Sequence, residues 1–187
     1  AMVLTPAVRG MFGLEWSAAD RTLTVTPSLP AQWNEAKILN VPVAQSRVGI
    51  EMRRSGSTLL VRLTEEGSIA VQLRSRAAGA KAQNGELRIP LPAVEVGIAH
   101  GLPEAGAVTS QMKVLDQQPS AGSLRLRLSA PANSHQTLFL RVNDPKIHLR
   151  TAGAELSLES SQLKIQFPAG TGSGESGYVE KMVTLSW

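Results

Sequence analysis

Ser123-Leu124-Arg125-Leu126-Arg127-Leu128-Ser129 places a leucine at every second position and an arginine between. Successive side chains of an extended strand point to opposite faces, so this stretch buries one face and wets the other. The same period runs outward from it toward the C-terminus. Leu138, Leu140 and Val142 oppose Arg141. Ile147 and Leu149 alternate with Lys146, His148 and Arg150. Leu156 and Leu158 alternate with Glu155, Ser157 and Glu159. Leu163, Ile165 and Phe167 alternate with Lys164 and Gln166, and Val183, Leu185 and Trp187 with Thr184 and Ser186.

Toward the N-terminus the pattern persists. Leu23 and Val25 share a face with Thr22, Thr24 and Thr26 opposed. Val48, Ile50 and Met52 oppose Arg47, Glu51 and Arg53. Further runs are Leu59-Val61-Leu63, Ile69-Val71-Leu73, Leu87-Ile89-Leu91 and Val94-Val96-Ile98. Turn chemistry separates them at Arg54-Ser55-Gly56-Ser57, Glu66-Gly67, Asn84-Gly85, Asn143-Asp144-Pro145 and Ala152-Gly153. Asn-Gly tolerates the positive φ of a tight hairpin. Helical periodicity is almost absent, and no amphipathic helix of crossover length sits between strands, which argues against a parallel α/β fold. The expectation is an all-β chain: one domain over 1–187, a two-sheet antiparallel β-sandwich of jelly-roll or supersandwich type with no substantial helix. Ala77 to Ala82 reads as a loop with room for a helical turn, Gly101 to Gly106 as a loop, and Gly170 to Gly177 as a glycine-rich connection between the last two strands.

A chain of 187 residues can bury a sizeable core. It has no cysteine, so disulfides, thiolate catalysis and thiolate-bound zinc are excluded together. The net charge of +4 is mild and its basic residues are dispersed, so no nucleic-acid partner is expected. No apolar run approaches about 18 residues, so no membrane span is expected. No charged segment followed by an apolar core marks a signal peptide.

Gly172-Ser173-Gly174-Glu175-Ser176-Gly177 fits G-x-G-x-x-G, but a strand follows it where a dinucleotide site needs a helix. His100, His135 and His148 lack metal-ligand spacing. The carboxylates fall at turns or on outward strand faces, and none forms the marked pair that glycoside hydrolysis requires. No nucleophile elbow is present. No catalytic residue, cofactor or metal ligand is assigned. Among the few rings, Trp16, Phe167 and Trp187 share parity with core aliphatics, and Phe139 opposes Leu138 and Leu140. Trp33, after a proline corner, and Tyr178, after the glycine loop, are the candidates for an exposed ring. A ring packed over a sandwich end is the commoner fate of each.

Gly10 to Arg54 carries a family likeness. Gly10, Gly13 and Leu14 open a strand. Leu23, Val25, Pro27, Leu29, Pro30 and Trp33 then read L-x-V-x-P-x-L-P-x-x-W, before a strand ending near L-x-V. This resembles the start of the C-terminal β-sandwich of glycoside hydrolases with an (α/α)6 catalytic barrel, the rhamnosidase-like and glycogen-debranching-like proteins. Gly177-Tyr178-Val179-Glu180-Lys181-Met182-Val183 is similar to the last strand of domains at the ends of such proteins. The catalytic carboxylates of that family lie in the barrel, so the resemblance brings no catalytic residue here. It implies a non-catalytic accessory domain, a C-terminal fragment of a larger bacterial protein, that supports the catalytic domain of that protein as its partner or mediates oligomer contacts. An apolar contact patch is then expected near Met11, Phe12 and Trp33. A carbohydrate-binding module, with sugar contacts at Trp33 and Tyr178, is the alternative, and a hydrolase in its own right the third reading.

Overall fold

The computed structural model describes residues 6–65, 68–75, 77–98, 111–157, 159, 161–170 and 177–187. The chain is all-β and mostly antiparallel, with one π-helical turn, Pro6–Met11. Its strands form four sheets, not the two of a single sandwich. The chain divides into two compact units, Ala1–Ala93 (unit 1) and Val94–Trp187 (unit 2), and each sheet draws its strands from one unit. Alternation reports which face of a strand is buried but not which sheet covers it. A sequence of alternating strands therefore does not distinguish one large sandwich from two small layered units.

In unit 1, β1 (Leu14–Ser17), β2 (Thr22–Val25) and β6 (Ala70–Leu73) form a three-stranded sheet in which β2 and β6 run parallel. A second sheet has the order β3 (Glu35–Val43), β4 (Ser46–Ser55), β5 (Thr58–Glu65), β8 (Glu86–Pro90), β7 (Lys81–Gln83). Leu23 and Val25 from the first sheet join Val48, Ile50, Met52 and Val61 from the second in one buried cluster, with Phe12, Leu14 and Leu29. The β7–β8 hairpin turns at Asn84 and Gly85, both at positive φ (52° and 72°), as the sequence predicts.

In unit 2 one sheet has the order β10 (Lys113–Ser120), β11 (Ser123–Pro131), β16 (Tyr178–Ser186), β13 (Arg150–Ala152). The other has the order β14 (Glu155–Ser157), β15 (Gln162–Gln166), β12 (His135–Val142), β9 (Val94–Ile98). Leu124, Leu126, Leu128, Val183 and Leu185 are buried on the first, and Leu138, Leu140, Leu163 and Ile165 on the second. Arg125 and Arg127 are exposed, so the alternation of Ser123–Ser129 is realised residue by residue.

Four elements depart from the sequence expectation, the first being β7, whose Lys81 and Ala82 fall in the stretch 77–82 read as a loop. The alternating run Lys146–Arg150 is not a strand: apart from Arg150, which opens β13, it is a loop. The Asp144 carboxylate accepts from the Lys146 backbone N–H (2.9 Å) and its carbonyl from Ile147, so a local turn replaces a ladder. β10 was not expected, because a bulge between Val114 and Asp116 breaks its parity. β3, implied only by the family likeness, has its parity broken between Ile38 and Val41, where Asn40 sits at φ 56°. The loop 101–106, and the glycine-rich stretch apart from Gly170 and Gly177, lie outside the described residues, as does His100.

Candidate functional site

The corner from Thr26 to Asn34 is the most elaborately fixed piece of unit 1. Gly13 sits at φ +61°, and a Cβ there would lie 2.0 Å from the Thr26 carbonyl oxygen. The two backbones are that close because Thr26 N–H donates to the Gly13 carbonyl (3.0 Å) and Ser28 N–H to the Met11 carbonyl (2.8 Å). Gly13 is therefore a steric necessity, whereas Gly10 has open space around it. Pro27, Leu29 and Ala31 are buried, and Trp33 N–H closes a turn on the Pro30 carbonyl (3.0 Å).

A residue that the sequence marks only as the edge of a turn holds this corner. Arg54, at the end of β4, donates from Nε to the Trp33 carbonyl (2.9 Å). Its Nη2 donates to the carbonyls of Leu29 (3.2 Å) and Pro30 (3.3 Å). Its own backbone N–H reaches the Asn34 carbonyl (2.8 Å). One planar fork of donors thus satisfies three carbonyls that the corner turns out of any ladder. A lone arginine before Ser55-Gly56 carries no signal of this in sequence.

The four candidate contact residues separate. Trp33 is 49 % exposed, so it does not cap a sandwich end. Met11 is half-buried against the core, and Phe12 is 3 % exposed inside it. The expected surface patch of Met11, Phe12 and Trp33 therefore does not form, because Phe12 shares the buried face with Leu14 rather than facing solvent. Tyr178 opens β16 in unit 2 and is half-buried. Its hydroxyl donates to the Gln111 carbonyl (3.3 Å), and the Lys113 ammonium lies 4.9 Å from the ring centroid, over a face a sugar would need.

Two further hollows were not anticipated. In unit 2 Phe139 and Arg141 on β12 and Ile147, His148 and Leu149 in the loop beyond it line an open recess of mixed polar and apolar character. The Arg141 guanidinium lies 5.9 Å from the Phe139 ring centroid. Asn143 Nδ2 donates to Glu95 Oε2 (2.7 Å) and ties the start of that loop to β9. The parity of Phe139, opposite to Leu138 and Leu140, was the available signal.

In unit 1 the outer face of the five-stranded sheet carries a cross-strand row of alternating charge. Lys37 opposes Glu51, Glu51 opposes Arg62, and Arg62 opposes Glu86. Glu86 takes Arg62 Nε on one carboxylate oxygen (2.5 Å) and Arg88 Nε on the other (2.7 Å). The hydrogen bond from Arg62 holds the Glu86 carboxyl below the ordinary carboxylate range, and Arg88 adds to it. The same contact, with Glu51 as a lesser contributor, raises the Arg62 guanidinium.

Among the described residues no three His, Asp or Glu side chains gather as a metal site. His135 and His148 are both exposed, on β12 and in the loop beyond it. No helix among them is long and apolar enough to cross a membrane. Protein-family models, curated proteins and solved structures contain no match to this chain.

Proposed function

We propose that this chain is a non-catalytic β-sheet accessory module of a bacterial glycosidase-like protein, and that it supports its catalytic domain through the Trp33 corner. The observation that carries the reading is the half-exposed Trp33 indole on a backbone clamped by Arg54. A large ring whose backbone is already ordered loses little entropy on binding, and such rings are the usual anchors of an interface. The glycosidase context rests on the resemblance of Gly10–Trp33 to the start of the C-terminal sandwich in that group.

The test is calorimetric titration of the chain with the (α/α)6-barrel domain encoded with it. Saturable binding that Trp33→Ala weakens at least about tenfold, a loss of about 1.4 kcal/mol, is the expected result. Equal binding by the wild-type and Trp33→Ala chains, both folded, would sink the reading. The same exposed ring favours a second reading, a carbohydrate-binding module, in which a pyranose stacks on Trp33. Saturable binding of a neutral oligosaccharide, lost in Trp33→Ala, distinguishes it.

A further inference from the structure

The positive charge of the chain is not shared between its units. Unit 1 holds 11 Lys and Arg against 7 Asp and Glu, while unit 2 holds 8 of each. On the outer face of the five-stranded sheet of unit 1, part of this surplus collects at one end. There Arg62 on β5, Arg88 on β8 and Lys81 on β7 line an open hollow with Gln83, Asn84 and Glu86.

The geometry at this end differs from that of a plain solvated charged face. Glu86 is only 16 % exposed at its side chain and spends one oxygen on each arginine, in both cases through Nε. That contact orients both guanidiniums and leaves their Nη donors outward, on side chains 57 % and 65 % exposed. Lys81 lies directly opposite Arg88 across the β7–β8 pair. Like charges opposed in this way destabilise a sheet, and among the described residues no carboxylate pairs with Lys81. Among the described residues that line the hollow, three cations stand against one carboxylate and leave a double positive charge in a concave polar surface.

We propose that this end of the sheet binds acidic oligosaccharides, whose sugar rings carry carboxylate or sulfate groups. Oriented guanidiniums suit such oxyanions, because their paired donors match two oxygens of one group. The side-chain amides of Gln83 and Asn84 both donate and accept, as ring hydroxyls require. Lys81 and Arg88 lie abreast on neighbouring strands about 4.8 Å apart, close to the length of one pyranose, and Arg62 lies on the next strand, abreast of Glu86 two residues along β8. No aromatic ring lines the hollow, whereas single-stranded nucleic acid relies on stacked bases for much of its affinity. The site uses no residue of the Trp33 corner, so its fate is independent of the docking role proposed above.

The test titrates the whole chain with four probes: a galacturonate hexasaccharide, a heparin-derived hexasaccharide, maltohexaose and a short single-stranded oligonucleotide. Saturable binding of one acidic hexasaccharide is expected, with no binding of maltohexaose and much weaker binding of the oligonucleotide. Binding of the galacturonate probe shows that carboxylates suffice, and binding of the heparin probe alone shows that sulfate is required. The Arg62→Gln/Arg88→Gln variant should weaken binding at least about tenfold. Lys81→Gln, at an exposed position with no partner among the described residues, should weaken it about threefold without touching the fold. Arg125→Gln/Arg127→Gln, which removes the same charge from unit 2, and Trp33→Ala should both bind as the wild type does. Silence with both acidic probes would overturn the proposal. So would an equal loss in the unit 2 variant, or an oligonucleotide affinity matching the saccharide's, since either marks a diffuse response to charge.

Discussion

Unit 2 builds its core from strict repetition, as in β11, where leucines at 124, 126 and 128 are all buried and the arginines between them are exposed. Unit 1 buries comparable strands, such as Val48, Ile50 and Met52 on β4, but depends as well on a few single residues that act on the backbone. Gly13 permits a close approach, and Arg54 satisfies three carbonyls of a corner that belongs to no ladder. Where apolar burial is repeated, each residue carries a share and none is indispensable to the path of the chain. Where the backbone leaves its ladder, one side chain can be required.

That contrast can be broken or sharpened by substitution, with hydrogen exchange measured separately over the two units. Gly13→Ala forces a methyl group against the Thr26 carbonyl, and the loss of unit 1 stability should exceed about 4 kcal/mol. A milder loss would mean the corner can move. Leu126→Ala in unit 2 leaves a cavity in a packed core and should cost about 3 kcal/mol, read as a lower urea midpoint with an unchanged slope. Arg54→Met keeps the stem but strands the carbonyls of Leu29 and Trp33 and takes one of two donors from that of Pro30, and should cost about 2 kcal/mol and speed exchange at the corner. Ala44, in the β3–β4 turn, sits at φ 52°. Ala44→Gly should therefore stabilise unit 1 by about 1 kcal/mol in thermal unfolding.

The smallest expected effect is that of pH. Because its arginine partners lower the Glu86 pKa in the folded chain, Glu86 contributes stability that is fully present above its unfolded value. That contribution is lost as pH falls below about 4.3 and through the lowered folded value. A carboxyl NMR titration should place Glu86 below the ordinary glutamate range, and Arg62→Gln should move it back up.

How much of this was legible depended on whether parity survived. β4, β5, β8, β11, β15 and β16 each keep their period across the strand core, and the β class follows from them. β3 and β10 each insert a residue into the ladder, which moves Leu39 and Leu115 out to solvent at 47 % and 41 % exposure and hides the strands from a count of two. Lys146–Arg150 errs the other way, since its period is sound but Asp144 captures the backbone first. At the corner, the prolines and Trp33 were visible as a motif, while the Arg54 clamp was not. It depends on contacts more than 20 residues apart, which no local pattern reports. The charged row of unit 1 was equally silent, because outward charges on separate strands acquire a meaning only once the register brings them abreast.

The bulges that hid β3 and β10 have a second consequence. Both strands lie at a sheet edge, and with nine and eight residues they are the longest edge strands among those described. Each also carries a proline, Pro42 or Pro119. The other edges, β1, β6, β7, β9, β13 and β14, are five residues or shorter. A long flat edge is an open template on which another chain can lay a strand, and a kink plus a missing N–H spoils that template. The two irregularities thus guard the chain against aggregation by strand addition at the places where it has the most backbone to offer.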